Sequence, residues 1–347
     1  MATTPNTNRV TLAQVAERAG VSPGAVSQVL NEHPQARISS EARERINRAV
    51  EELGYRPNRV ARSLRMAKSE TFGFVSDSVT ITRFATGMLR GALSAADEVD
   101  HLLLIAETGG DPDRERRAVE SLVDRGVDGI IFAAMKSRIP RPYTLPAGLP
   151  HVYVNLSNTE GAVSVLPDEF NAGRDSVRLL AEAGHRDGIA LIGHDLAPGD
   201  DPTLALTARR RLDGIAFEMN ERGMRLVGEF GCEDWQPELG YQAAQKALRL
   251  DGLTAMLCLN DRIAVGAYQA VGEADKRVAD DVSVVSFDDD EIAAALHPGL
   301  TTIAIPHEAM GATAIEILTA ARQPTEDVLI PMRIKDRGSI GAPSAPR

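Results

Sequence analysis

VTLAQVAERAGVSPGAVSQVLN, residues Val10–Asn31, carries two short helical patterns around one glycine. Leu12, Val15 and Ala16 recur at helical spacing and give the first pattern an apolar face. Gly20 stands where a tight turn needs a residue tolerant of positive φ. Ser22 is placed to cap a second helix, and Pro23 takes its first position, where a missing N–H costs nothing. Val26, Val29 and Leu30 form that helix's buried face, leaving Pro23, Gly24, Ser27 and Gln28 outward. A short helix that offers small and amide side chains near its N-terminal end suits the major groove, so the segment reads as a helix-turn-helix DNA reader. A plain helical hairpin has the same periodicity, and the segment alone does not separate the two.

The charge distribution does. The chain has 347 residues and a net charge of −11. Residues 1–68 nevertheless hold 11 basic and 6 acidic side chains, against 27 basic and 43 acidic in the remainder. A basic head on an acidic body is the asymmetry expected when one small domain meets phosphate, with the body repelling non-specific DNA. Length implies more than one domain. Cys232 and Cys258 are the two cysteines and lack any C-x-x-C spacing, which argues against a disulfide framework or a zinc site and fits a reducing compartment. No early apolar run resembles a signal peptide and none reaches membrane-spanning length, so a cytoplasmic protein without membrane contact is expected.

Ser39–Leu53 reads as a third head helix, capped by Ser39 or Ser40 and buried through Ile46, Ala49, Val50 and Leu53. Residues 56–69 follow, with basic side chains at 56, 59, 62, 65 and 68 and no acid between Glu52 and Glu70. Spacing of three sets several of these charges on one helical face, where mutual repulsion opposes a free helix and DNA phosphates would remove the penalty. Two readings stand: a linker that orders on DNA, with Leu64 as an apolar wedge in the minor groove, or a solvated basic linker. From Thr71 onward, short apolar strands alternate with helix patterns. This implies parallel, doubly wound sheets, too many strands for one sheet, and therefore two α/β lobes. The expected organisation is a head at 1–55, a hinge at 56–69 and a two-lobed body at 70–347.

Ligands in such folds sit at the C-terminal ends of strands, and several polar residues fall there: Asp77 and Ser78, Asn155, Asn260 and Asp261, and Asp288–Asp290. Arg211 opens a helix pattern, and Trp235, the single tryptophan, precedes another. Asn, Asp, Arg and one flat ring make a kit for hydroxyl-rich ligands. Asn260 and Asp288 serve equally as helix caps and Trp235 as half-buried packing. The run Asp288–Asp290 reads as a solvated acidic loop or as a magnesium site. Catalytic patterns are absent: no G-x-G-x-x-G, phosphate-binding loop, G-x-S-x-G elbow or H-E-x-x-H.

Head, linker and body together resemble the lactose/galactose-repressor (LacI/GalR) family of bacterial transcription regulators. The match rests on Thr11-Leu12, Val15-Ala16, Ala19-Gly20-Val21-Ser22, Val26-Ser27, Leu30-Asn31, Leu53-Gly54-Tyr55-x-Pro57-Asn58 and Ala61-x-x-Leu64. In the body it adds Val127–Ile131, Gly184-His185-Arg186, Arg211-Leu212-x-Gly214, Asn260-Asp261-x-x-Ala264, Phe287-Asp288 and Leu300-Thr301-Thr302. The resemblance implies an all-α helix-turn-helix head on an α/β, periplasmic-binding-protein-like body that dimerises. It implies DNA contacts from Thr11, Ser22, Pro23, Gly24, Ala25, Ser27, Gln28, Asn31, Tyr55, Asn58, Arg59, Ala61, Arg62 and Leu64. It implies effector contacts from Asp77, Phe84, Arg211, Trp235, Asn260 and Asp288.

Two departures concern the reading face. Ala25 stands where the family usually has threonine, and Gln28 where arginine is frequent; arginine favours guanine and glutamine adenine. The tail lacks leucine heptads, so a dimer is expected rather than a zippered tetramer. The resulting expectation is a repressor of palindromic operator DNA, a homodimer needing no cofactor, governed by a small, sugar-like effector acting as inducer or corepressor. A solute receptor would lack the basic head, and a sugar enzyme with an appended DNA domain would need catalytic residues.

Overall fold

Thr11, Ser22 and Ser39 start the three helices of the head by satisfying backbone donors that a helix leaves unpaired. Before α1 (Leu12–Ala19), Thr11 Oγ1 accepts from the Gln14 N–H at 3.4 Å, while Gln14 Oε1 accepts from the Thr11 N–H at 2.8 Å. Gly20 ends α1 with φ 66°. Before α2 (Pro23–Leu30), Ser22 Oγ accepts from the Ala25 N–H at 3.2 Å. Before α3 (Ser40–Leu53), Ser39 Oγ accepts from Ala42 in the same way, and Gly54 terminates that helix with φ 60°. Val15, Val26 and Ile46 are completely buried between the three helices, with Val29, Ala49 and the Tyr55 ring around them.

The computed structural model describes residues 10–30, 38–55, 68–80, 82, 86–157, 162–194, 206–320 and 324–344. The chain divides into two compact units, Met1–Ser69 and Glu70–Arg347.

Buried apolar runs build the second unit around two sheets. β1 (Thr71–Ser76), β2 (Leu102–Glu107), β3 (Gly129–Arg138), β4 (His151–Leu156), β5 (Ser164–Pro167) and β11 (Val328–Ile330) form the first, in the order β11-β5-β4-β3-β1-β2, all parallel. β6 (Ile189–Gly193), β7 (Leu226–Gly231), β8 (Ala255–Cys258), β9 (Ser283–Asp288), β10 (Thr301–Ala304) and β12 (Arg333–Lys335) form the second, in the order β12-β10-β9-β8-β6-β7. Only the β10–β12 pair there is antiparallel among the described pairs. The first lobe carries α4 (Thr86–Glu98), α5 (Pro112–Asp124) and α11 (His307–Thr319). The second carries α6 (Glu169–Glu182), α7 (Leu206–Glu221), α8 (Pro237–Ala247) and α9 (Asp261–Glu273), and the short α10 (Glu291–Ala295) follows β9.

The chain crosses between lobes at 167–169, 304–307 and 330–333. The middle crossing delivers His307 to the start of α11. That helix is pressed against α4: a Cβ on Gly91 would stand 1.9 Å from the Glu308 carbonyl oxygen, and one on Gly311 1.9 Å from that of Met88.

The alternating pattern finds most of these elements within a few residues. β10, β11, β12 and α10 escape it because three to five residues are too few to display a period. The C-terminal Gly/Pro/Ser segment is not a loose tail in its described part. Ser339 is completely buried, its Oγ accepting from the Thr301 N–H at 2.8 Å, and the Gly341 carbonyl lies 3.0 Å from His185 Nε2. The other nitrogen of His185 lies 2.8 Å from Thr254 Oγ1. Burial lowers the pKa of this imidazole, so the Gly184-His185-Arg186 motif staples the tail to the second lobe as a neutral group.

Candidate functional site

A cavity of about 940 Å³ opens at the C-terminal ends of the strands, walled by both lobes. Arg211 is its fixed point. It lies in the second turn of α7 rather than at the helix start, and is 2% exposed. Its Nε and Nη2 donate to the two carboxylate oxygens of Glu169 at 2.7 and 2.8 Å, and Nη1 donates to the Leu259 carbonyl. Its guanidinium carbon sits 4.2 Å from the Phe287 ring centre and 6.0 Å from that of Trp235. Burial opposes the charge, but the Glu169, Asp288 and Asp261 carboxyl groups together outweigh it and hold the arginine pKa above its ordinary value. Glu169 is equally buried and follows Asp168, the cap of α6. The sequence reading missed it, because nothing in the local pattern pairs a residue with one 42 positions away.

Asp288 ends β9 with φ 107°, a conformation a non-glycine residue holds only when its surroundings impose it. Its Oδ1 lies 3.9 Å from Arg211 Nη2. Burial pushes its carboxyl well above the carboxylate range; Arg211 pulls it down, and Asp261, Glu169 and Asp290 push it further up. The loop is anchored by Asp261, completely buried, which accepts from the Asp290 N–H at 2.7 Å and from the Ser286 hydroxyl. Burial raises Asp261 to about 6 against those hydrogen bonds. Asn260 caps α9, its Oδ1 accepting from the Ile263 N–H at 2.8 Å, and lines the cavity as well. Its amide nitrogen is the group left for a ligand. Trp235 is half-buried against the second-lobe core and also lines the cavity.

The first lobe contributes Asn155, Lys136, Ser137 and His307. Asn155 has φ 55° and donates to the Ala134 and Met135 carbonyls at 3.0 and 3.1 Å, within the irregular stretch of β3. Asp77 is a correction to the expectation. It does not line the cavity; its Oδ1 accepts from the Met135 N–H at 2.9 Å and the Ser78 N–H at 2.7 Å, and its Oδ2 faces Arg138 at 3.7 Å. Its carboxylate ties its own loop to β3 beside the cavity wall. Phe84 lies outside the described residues. The Asp288–Asp290 run is an anchored loop, its Asp290 N–H held by the Asp261 carboxylate; no group of histidine, cysteine and carboxylate side chains among the described residues has the arrangement to hold a metal ion.

In the head, Pro23, Gly24 and Gln28 are exposed, and Ala25 and Ser27 partly so, on the face of α2 opposite Val26 and Val29. Ser22 spends acceptor capacity on its cap and keeps its hydroxyl donor, whereas the Thr11 hydroxyl both accepts from the Gln14 N–H and donates to Gln14 Oε1 at 3.1 Å. Tyr55 is 9% exposed and its ring packs into the head core, which gives it a structural part the sequence reading did not assign. Asn31, Asn58, Arg59, Ala61, Arg62 and Leu64 lie outside the described residues.

Comparison with known proteins places both units. Residues 11–58 match the family of bacterial regulatory proteins named for LacI, and residues 177–340 match a periplasmic binding protein-like domain. The ribose operon repressor of Haemophilus influenzae is 32% identical over 321 residues, covering 91% of this chain and 93% of its own. The chain belongs to the LacI family. It is a DNA-binding transcriptional regulator, and its α/β body is of the periplasmic-binding-protein type. The HTH-type transcriptional repressor PurR of Pasteurella multocida is 29% identical, covering 89% of this chain and 90% of its own. Among solved structures, the lac repressor dimer bound to operator and the anti-inducer ONPF superposes with a TM-score of 0.75 at 27% identity, over 96% of this chain and all of that one.

For a LacI-family chain, the four second-lobe residues singled out from sequence come together: Arg211, Trp235, Asn260 and Asp288 share one wall of the cavity.

Proposed function

We propose that this chain is a transcriptional repressor that grips a palindromic operator as a homodimer and changes its grip when a sugar or sugar derivative enters the cavity. The observation that carries this reading is the Arg211–Glu169 clamp, which fixes a guanidinium beside Asp288, Asn260 and Trp235 in the cleft of a unit separate from the helix-turn-helix. Fixed polar groups next to one flat ring suit a sugar, whose hydroxyls take hydrogen bonds while its C–H face stacks on the indole. The relative named for the ribose operon fits a sugar effector, and the lac repressor structure supports an operator-bound dimer.

In this reading residues 1–55 are the DNA-binding head, 56–69 a hinge that forms helices on DNA, and 70–347 the effector and dimerisation body. Gln28 and its neighbours on α2 read bases, the Ser22 hydroxyl and the start of α1 at Thr11 meet phosphate, and Leu64 wedges the minor groove. The edge strand β2 favours a dimer: Leu102 and Ile105 are 58% and 45% exposed, an apolar strand edge that a second copy would cover. No catalytic role is assigned. Burial pushes the cleft thiol of Cys232 up to about 11, where it is a poor nucleophile. No described helix is long and apolar enough to cross a membrane, and a cytoplasmic regulator is the consistent setting.

A thermal-shift screen of sugars tests the cavity directly, since a ligand at about 100 times its dissociation constant adds roughly 2.7 kcal/mol. A hit whose effect disappears in Asp288→Ala supports the reading. A hit that binds Asp288→Ala normally places the effector elsewhere.

A further inference from the structure

Among the described residues, two buried side-chain polar atoms have no hydrogen-bond partner: Ser137 Oγ and His307 Nδ1. Buried polar groups in folded proteins are nearly always paired, and each exception calls for a cause. Both exceptions here belong to residues that line the cavity, and both come from the first lobe. Ser137 sits near the end of β3, 5% exposed. His307 opens α11, where the chain has just crossed from the second lobe. Its position is set by helix packing, since a Cβ on Gly87 of α4 would stand 2.8 Å from the His307 Cβ. Burial holds this imidazole at a pKa of about 4, so it is neutral near pH 7 and offers one donor and one acceptor.

The charge of the cavity narrows the ligand. Apart from the Arg211–Glu169 pair and Asp288, whose carboxyl burial holds above the carboxylate range, its described lining carries the carboxylates of Glu233, Asp234, Asp290 and Glu291 against the cations Lys136 and Arg262. Arg211 is already committed to Glu169, and Arg262 donates to Gln236 Oε1 at 3.1 Å. A phosphate or carboxylate on the ligand would therefore meet surplus negative charge with few free cations.

We propose that Ser137 and His307 form the first-lobe half of the effector site and pair with hydroxyl groups of an uncharged polyol, the cavity selecting against its phosphorylated forms. This rests on the sugar reading above and adds the residues and the charge class. Ligand hydroxyls in reach of these two atoms would supply the partners they lack.

The test uses the intact protein, thermal shift and titration calorimetry. The probes are a panel of uncharged pentoses, hexoses and disaccharides, with the phosphate ester of each sugar that binds. Ser137→Ala removes an unpaired oxygen, so its ligand-free melting midpoint is expected to equal or exceed that of the unaltered protein while its Kd rises about tenfold. His307→Phe keeps the ring volume and is expected to raise Kd by a similar factor. His307→Asn, which returns an amide near the Nδ1 position, recovers part of that loss. Each phosphate ester binds at least tenfold more weakly than its parent sugar.

Kd values within twofold of the unaltered protein in both Ser137→Ala and His307→Phe overturn the assignment of these residues, while the sugar reading stands. Phosphate esters binding as tightly as their parents overturn the charge class. A panel in which no sugar binds overturns the sugar reading itself.

Discussion

Replacing Glu169 with glutamine keeps its shape and removes its charge, leaving Arg211 buried without a full counter-ion. In the unaltered protein both partners are 2% exposed and joined by two hydrogen bonds of 2.7 and 2.8 Å. At an effective dielectric near 20, opposite charges about 4 Å apart attract by about 4 kcal/mol. Asp288 at 3.9 Å offers partial compensation, but its own carboxyl is already held above the carboxylate range by burial, so it is a poor substitute anion. Breaking a buried pair from one side typically costs about 3–5 kcal/mol. For a body of this size that lowers the melting midpoint by roughly 5–9 °C. Urea unfolding of Glu169→Gln should show the same loss through a lower midpoint concentration with an unchanged slope. Arg211→Met combined with Glu169→Gln removes both charges and should be more stable than either single variant. A Glu169→Gln protein within about 1 kcal/mol of the unaltered one would refute the clamp.

Further outcomes test other parts of the account. Gln28→Ala should relax base preference at one operator position at a cost of about 1–3 kcal/mol, read by binding-site selection; unchanged preference removes Gln28 from the reading face. Gly91→Ala drives a methyl into the Glu308 carbonyl across the α4–α11 contact and should destabilise the body by about 1–3 kcal/mol in urea titration; no loss would mean the helices separate freely. His307 gives a pH dependence of defined sign. The unfolded chain binds the proton first, near pH 6.5, and the folded protein only near 4, so this residue's stability contribution is lost as pH falls between those values. His307→Phe should therefore gain about 2 kcal/mol relative to the unaltered protein between pH 7 and pH 5, and parallel stability–pH curves would contradict that.

What could be read in advance depended on range. Gly20, Ser22 and the Val26/Val29 stripe encode their geometry within a few residues, and the head forms as their spacing predicts. The body's longer strands are apolar runs that declare themselves, and topology places the polar residues at their ends, Asn260 and Asp288 among them; Arg211 and Trp235 stand out through the family resemblance, and all four line the cavity. Glu169, Ser137 and His307 were not found in the sequence, because each acquires its part through tertiary contacts. Glu169 meets Arg211 across two helices, and the other two stand out only by the absence of a partner. Asp77 shows the converse. It occupies a strand end, yet backbone N–H groups of its own loop and of β3 use its carboxylate. Tyr55 fits the family pattern at the end of α3 and turns out to serve the head core.

The central claim is that occupancy of the cleft sets operator affinity. The decisive measurement is the anisotropy titration of a selected operator duplex with the intact protein, with and without a saturating sugar identified by thermal shift. The account predicts a change of about 5–150-fold in operator Kd, corresponding to a coupling of about 1–3 kcal/mol. It also predicts that Asp288→Ala retains the sugar-free Kd and loses the change. An operator Kd that stays constant while the cleft fills with sugar would contradict it.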